Sequence, residues 1–501
     1  MGLIIGMFVL LRLVSVILTP LNLGPDEAQY WRWADHLDWG YYSKPPLIAW
    51  TIAFTTSLFG QAEWAVRFFA PIGHGLAAFC LFLLGKQAFD TRTGVLAAFI
   101  YLLMPGVWLS SGIISTDGLL LPCLCAGLLM LWRQREDPNW LQGALLGLAI
   151  GVAFLAKYAA IYFLLGAGLL AIIDPQTRRS LFQVYSLGTL LTLVAVIGPN
   201  LAWNAANDFA TVNHTADNAN WENSSYNLSH FPRFLLDQMG VFGPVSFVLL
   251  MLGMFFILPN TDSESAKKDR WFLCFVLPPL IVIAIQAVIS RAHANWAASA
   301  YPSASVLLAA WALRANWSKA LKAGLALNLV AGLFFVVLSV NPKLADATGF
   351  SNAFKRARGW EESVDRLVLE ARNIGAVGIV FDERENWHGM DYYGRDVDNP
   401  PAHYLWRRLD SPHAFAESHA PVPEGTDETL MVASIRESFR PLMREDFKSF
   451  QYVGQFTIAL GGGKERTFCL HKASGYNPVQ RTRAFEIKFR GVVEACGPDQ
   501  N

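Results

Sequence analysis

The chain has 501 residues, 53% of them hydrophobic and 16% charged, with a mean hydropathy of +0.31. Soluble domains carry about a quarter charged residues, so this balance excludes an ordinary water-soluble protein and reads as an integral membrane protein. Its 40 basic and 40 acidic residues cancel, which leaves no global basic field for a nucleic-acid partner.

Apolar runs able to cross about 30 Å of hydrocarbon lie near 3–19, 64–85, 94–112, 118–132, 141–156, 159–173, 181–200, 237–258, 271–290, 297–313 and 320–340. They predict an α-helical polytopic membrane protein with about eleven spans, up to thirteen if closely spaced runs split. No charged n-region or small-residue cleavage site precedes Pro20, so the first run reads as a retained helix. Orientation follows from lysine and arginine, which stay in cytoplasmic loops. An inside N-terminus puts Lys86, Arg92, Arg133, Arg135, Arg178, Arg179, Lys267, Lys268, Arg270, Arg314, Lys319 and Lys322 in cytoplasmic loops, and only Arg32, Lys44, Lys157, Arg233 and Arg291 in outer ones. That count of twelve against five places the first loop, about 20–63, outside.

An odd number of spans leaves the last part outside too. From about 341 to 501 charge is spread throughout and no run is long enough to span. An amphipathic pattern at 351–373 and strand-like runs at 376–381 and 429–433 predict a small extracytoplasmic α/β domain following a transmembrane domain over 1–340. Gly461-Gly462-Gly463 reads as a hairpin turn and not a phosphate loop, because no helix follows. Cys80, Cys123, Cys125 and Cys274 fall in apolar runs and read as packing residues. Cys469 and Cys496 could pair in an exported domain, at a separation the sequence leaves open.

Four stretches carry charge beside a span, where charge is costly and usually has a job. In Pro25-Asp26-Glu27-Ala28, Asp26 could be a general base toward an acceptor hydroxyl or orient a cationic substrate; the structural alternative is a helix N-cap. In Tyr41-Tyr42-Ser43-Lys44-Pro45-Pro46, Lys44 suits a phosphate at the membrane surface, or snorkels among interfacial aromatics. Asp117, in Ser115-Thr116-Asp117-Gly118, sits at the outer mouth as a functional carboxylate or as a cap. In Ser290-Arg291-Ala292-His293-Ala294-Asn295, Arg291 and His293 could take up charge on a leaving phosphate, or anchor the interface. Glu27, Tyr41, Tyr42, Lys157 and Asn295 are further candidates for substrate contact. The sequence has no zinc spacing, HExxH or P-loop, which speaks against a resident metal and against a nucleotide-sugar or ATP site.

Over about residues 5–340 the chain resembles the GT-C glycosyltransferases that use polyprenyl-phosphate sugars: the protein O-mannosyltransferase family and bacterial relatives such as aminoarabinose lipid A transferase. The residues that carry the resemblance are Pro25-Asp26-Glu27-Ala28 with Lys44-Pro45-Pro46, and Thr116-Asp117. It implies a first outer loop of short helices lying on the membrane and a soluble exported domain after the last span. It also implies Asp26 as the first-loop catalytic aspartate, Asp117 as the second functional acid and Lys44 as the contact to the donor phosphate. Arg291 and His293 match less closely, since that loop varies between subfamilies. Ser43 stands where many relatives have glutamate, so an acidic partner inferred from them is missing here.

The activity so implied is an inverting transfer of one monosaccharide from a polyprenyl-phosphate donor to an envelope acceptor. The first choice of acceptor is a lipopolysaccharide or lipid A sugar, at the outer face of a bacterial inner membrane. The scheme requires no cofactor, since fixed cations can serve the phosphate, and it is compatible with a divalent ion near Asp26 and Asp117. Competing readings are a protein O-glycosyltransferase, and a transporter or flippase of lipid-linked sugars, for which charge at the midplane would be expected.

Overall fold

The computed structural model describes residues 1–219, 226–257, 263–290 and 292–498. The chain forms two compact units, Met1–Leu18 with Leu37–Val337 and Thr19–His36 with Leu338–Asn501. The first outer loop is therefore divided: residues 19–36, expected to belong with the membrane helices, fold into the second unit.

The first unit is helical. Among the described residues five helices are long and apolar enough to cross a membrane, Glu63–Ala88, Thr116–Glu136, Ser186–Ala206, Glu264–Ile289 and Ser318–Val340. Two bent pairs, Tyr158–Ile173 with Pro175–Leu181 and His230–Phe242 with Pro244–Ile257, raise the number to seven. Gly2–Leu18, Leu47–Phe59, Thr91–Leu102 and Trp140–Ala156 are shorter apolar helices. The eleven runs read in the sequence thus resolve into helices of unequal length, and proline and glycine account for the breaks. The run at 94–112 divides at Met104-Pro105. The run at 237–258 turns by 114° at Gly243, whose φ of 96° suits glycine, followed by Pro244.

Small residues bring two helices of this unit together. Gly143, Gly147 and Gly151 recur every four residues on one face of Trp140–Ala156. A Cβ on Gly147 would lie 2.3 Å from the Thr189 carbonyl oxygen, and one on Gly151 would lie 2.8 Å from Val196. Close backbone approach of this kind packs helices in lipid, where burial of apolar area supplies little drive. It fixes Lys157, just past one helix, relative to Asn200 and Asn204 near the end of the other.

The second unit is built on a five-stranded sheet of β1 Gly378–Phe381, β2 Ala402–Leu405, β3 Leu430–Ser434, β4 Phe447–Gly461 and β5 Lys464–Tyr476, in the order β2-β1-β3-β5-β4. The first three run parallel, and β5 joins β3 and β4 antiparallel. Gly461, Gly462 and Gly463 close the β4–β5 hairpin with φ of 87°, 54° and 70°, left-handed backbone that glycine adopts without penalty. Helix Trp360–Asn373 buries Val364, Leu367 and Val368 on one face of the sheet. Trp406, Met443 and Phe450 fill the other. A disulfide joins Cys469 in β5 to Cys496 in the C-terminal tail, with Cα atoms 5.6 Å apart.

Residues 19–36 belong here because their helix, Pro25–Ala34, is anchored by aromatic side chains. Tyr30, Trp31 and Trp33 are buried. Trp31 packs edge-on against Tyr392 at 4.8 Å, and Trp33 against Phe415 at 6.1 Å. Burying such rings outweighs the cost of holding a short helix.

Candidate active-site residues in two units

In the second unit, helix Pro25–Ala34 starts at Gly24, with Pro25 in the first turn. The side chain of Glu27 reaches back to accept the Gly24 N–H at 2.8 Å. Glu27 is 5% exposed. It satisfies a backbone donor that the helix leaves open. Asp26, which the sequence allowed as the cap, is released from that duty. Its side chain is 63% exposed, and one oxygen, Oδ1, accepts from Arg384 Nη2 at 2.8 Å.

Arg384 opens helix Arg384–Tyr393, directly after β1. Its other terminal nitrogen donates to Gln29 Oε1, one turn along from Asp26. Two turns along, Arg32 faces Asp391 at 3.5 Å, and Asp391 also meets His403 at 3.3 Å. One face of the Asp26 helix is thus a polar seam against Arg384–Tyr393. His388 lies buried in that second helix, and burial beside Arg384 and Arg32 pushes its imidazole well below the ordinary range, so it stays neutral. At the end of β1, Asp382 accepts from Ser434 Oγ and from the Ile435 and Arg436 N–H groups at 2.7–2.9 Å. Burial outweighs these bonds and lifts its carboxyl to about 6.

In the first unit Ser115, and not Asp117, caps helix Thr116–Glu136, accepting the Gly118 N–H at 3.3 Å. Asp117 therefore projects from the first turn with both oxygens available. Oδ1 accepts from Lys157 Nζ at 2.8 Å and Oδ2 from Asn295 Nδ2 at 2.6 Å. Lys157 can reach it because the chain turns extended there (φ −164°, ψ 136°) between Trp140–Ala156 and Tyr158–Ala160. Asn295 comes from the seven-residue 3-10 segment Ala294–Ala300, which His293 begins. His293 is exposed and packs edge-on to Trp296 at 5.2 Å. Arg291 lies outside the described residues.

The Tyr41 to Lys44 loop joins the same unit through the next residue, Tyr158. The Tyr158 hydroxyl donates to Asn200 Oδ1 at 3.0 Å, and Asn200 Nδ2 donates to the Trp39 carbonyl at 2.6 Å. Thr211 holds the Tyr41 carbonyl at 2.6 Å, and the Lys44 carbonyl accepts the Tyr41 N–H at 3.1 Å. These bonds close the loop into a turn. Burial pushes the Tyr41 hydroxyl up to about 12, so it acts as a neutral hydrogen-bonding group. Tyr42 packs against His214 at 5.3 Å. Lys44 is half-buried, held before Pro45 and Pro46 at the start of helix Leu47–Phe59. Consecutive residues 157 and 158 thus tie Asp117 and Asn295 to the loop that carries Lys44.

Among the described residues no group of three or more His, Cys, Asp or Glu side chains is arranged to hold a metal ion. Asp117 is instead satisfied by a cation and an amide. Arg12, the charge inside the first apolar run, is also settled locally: it donates to Ser111 Oγ at 2.8 Å and to the Trp108 carbonyl at 2.9 Å. Sequence reasoning missed Arg384 and Gln29, the partners of the Asp26 helix. The available signal was position: Asp382-Glu383-Arg384-Glu385 follows a predicted strand, and the carboxyl ends of parallel strands are where α/β sheets gather functional groups.

Residues 43–203 match the family of dolichyl-phosphate-mannose-protein mannosyltransferases, a stretch that includes Lys44, Asp117 and Lys157 but not Asp26. The chain is 32% identical over 391 residues to the lipid A galacturonosyltransferase RgtD of Rhizobium johnstonii, covering 78% of this chain and 81% of that protein. It is 26% identical over 263 residues to the undecaprenyl phosphate-α-4-amino-4-deoxy-L-arabinose arabinosyl transferase of Aeromonas hydrophila, covering 49% of this chain and 46% of that protein. Among solved structures, ArnT from Cupriavidus metallidurans bound to undecaprenyl phosphate superimposes with a TM-score of 0.65 at 15% identity, over 94% of this chain and 97% of that one. The likeness to ArnT fixes the fold and the 32% identity fixes the kinship: the chain belongs to the GT-C membrane glycosyltransferases of the protein mannosyltransferase and aminoarabinose transferase type.

Proposed function

We propose that this glycosyltransferase moves one hexuronic acid, galacturonic acid in the first instance, from a polyprenyl-phosphate donor to a lipid A sugar at the periplasmic face of the inner membrane. The donor class is supported by the family, and the sugar and acceptor by the galacturonosyltransferase relative. The outer face is supported by the lysine and arginine asymmetry of the loops. The observation that carries the chemistry is the release of both aspartates from helix capping, by Glu27 with Gly24 in one unit and by Ser115 in the other.

In this reading Asp26 takes the proton of the acceptor hydroxyl as its oxygen attacks the anomeric carbon. The bond from that carbon to the phosphate oxygen breaks with inversion, and the polyprenyl phosphate leaves with the bonding pair. Lys44 meets the charge growing on that phosphate, with His293 and Arg291 assisting. Asp117 holds Lys157 and Asn295 in place and tunes the cationic field around them. A phosphate is already a competent leaving group, so fixed cations suffice in place of a strong acid.

The test is reconstitution of the purified protein with polyprenyl-phosphate galacturonic acid and lipid A, read by mass spectrometry. The expected product is lipid A heavier by one hexuronic acid. Transfer of a pentose or neutral hexose in preference to the uronic acid would overturn the sugar, and transfer to a protein hydroxyl with none to lipid A would overturn the acceptor.

A further inference from the structure

The second unit contains a cavity of about 380 Å³ that no step of the proposed transfer uses. Its apolar lining includes Phe439, Leu442, Phe485 and Phe489, and two exposed arginines, Arg408 and Arg490, also line it. A third arginine on the cavity, Arg481, is committed elsewhere, gripping buried Asp446 with both terminal nitrogens at 2.9 and 2.5 Å. Arg408 and Arg490 have no carboxylate partner among the described residues. The Arg408 guanidinium lies over the Phe439 ring at 5.2 Å, which leaves its N–H edges free of that contact.

The wall formed by Gly491 and Val492 is held firmly. The Glu494 N–H donates to the Glu437 carbonyl at 2.9 Å, Arg444 pairs with the Glu494 carboxylate at 2.8 Å, and the Cys469–Cys496 disulfide follows two residues later. Val492 in that wall, and Ile487 and Val493 near it in the chain, expose apolar surface. Unpaired guanidinium groups above an aromatic floor, in a volume within the range of ligand sites, match a molecule that is apolar at one end and anionic at the other. Arginine supplies the paired donors that a phosphate accepts. A free phosphate would leave the floor wet, and a neutral lipid would leave the arginines unanswered.

We propose that this cavity binds a phosphorylated lipid, its phosphate between Arg408 and Arg490 and its apolar part against Phe485, Phe489 and Leu442. The site is independent of the assignment of Asp26.

The test uses the full chain in uncharged detergent with a photoreactive short-chain phosphatidic acid and, in parallel, the matching phosphatidylcholine. Crosslinks to peptides spanning 438–442 and 485–492 should be about fivefold stronger with phosphatidic acid, roughly 1 kcal/mol of preference. Unlabelled phosphatidic acid should compete and inorganic phosphate at the same concentration should not. Arg408→Ala with Arg490→Ala should lower labelling to the phosphatidylcholine level with the disulfide still intact by mass, Arg490→Gln alone should lower it in part, and Asp26→Asn should label like wild type. Equal labelling by the two lipids, equal competition by inorganic phosphate, or unchanged labelling of the double variant would each overturn the site.

Discussion

The two aspartates that the sequence singles out stand in opposite circumstances. Asp117 is 13% exposed and has both oxygens occupied, by Lys157 and by Asn295. Asp26 is 63% exposed and has one oxygen held, by an arginine that is itself partly exposed. A carboxylate locked between a cation and an amide is an organiser, since moving a proton onto it would break two contacts. A carboxylate presented to solvent with one lone oxygen can accept a proton at little structural cost. The difference predicts two roles where the motif alone offers one.

The largest expected effect tests that separation directly. Asp26→Asn keeps the shape and removes the base, so transfer should fall by about 10³-fold, within the usual contribution of general base catalysis. Thermal stability should stay within about 0.5 kcal/mol, because the pair with Arg384 is exposed. Turnover by Asp26→Asn within tenfold of wild type would end the comparison as drawn. Asp117→Asn should differ in kind, costing stability as well as activity.

That second effect can be isolated by a cycle. Asp117→Asn strands Lys157, and Lys157→Gln strands Asp117; each should destabilise the protein by about 2 kcal/mol, somewhat below the loss seen when a fully buried pair is broken. The double variant should cost little more than either single one, because the groups share one interaction. Additive losses in thermal denaturation would show that the two side chains act apart.

Arg384→Ala examines the other aspartate. Arg384 touches Asp26 and Gln29 at once, so its loss should let the carboxylate turn away. Transfer should fall roughly tenfold, mainly in kcat, which corresponds to about 1.4 kcal/mol. Arg384→Lys should recover part of it by keeping the charge without the fork. A change confined to KM would reassign Arg384 to substrate binding.

How far the sequence could see follows from the range of the interactions. The three glycines of the β4–β5 turn were legible because a positive φ is a local demand. The Asp117 neighbourhood was legible in part: Lys157 and Asn295 were both singled out, but their meeting at one carboxylate depends on how elements 40 and 178 residues apart pack together. Arg384 lies 358 residues from Asp26, and no local pattern joins positions so far apart. The same distance hid the inclusion of residues 19–36 in the second unit, since Trp31 and Trp33 read equally well as an interfacial belt. Proline and glycine breaks within apolar runs made helix count less legible than helix presence.

The smallest effect probes the step that frees Asp26. Glu27 closes the Gly24 cap from the third helical position, and its replacement by alanine removes one charged acceptor, a loss of about 1 kcal/mol. Glu27→Gln keeps an acceptor and should cost less than half of that. Transfer in both variants should remain within about threefold of wild type, since the bond removed holds only the start of the helix. If Glu27→Ala instead lost activity as deeply as Asp26→Asn at unchanged stability, the buried glutamate would be the reacting carboxylate and the exposed aspartate its support. The cap at Gly24 therefore holds Glu27 to the helix start, while its neighbour Asp26 keeps one oxygen clear of Arg384.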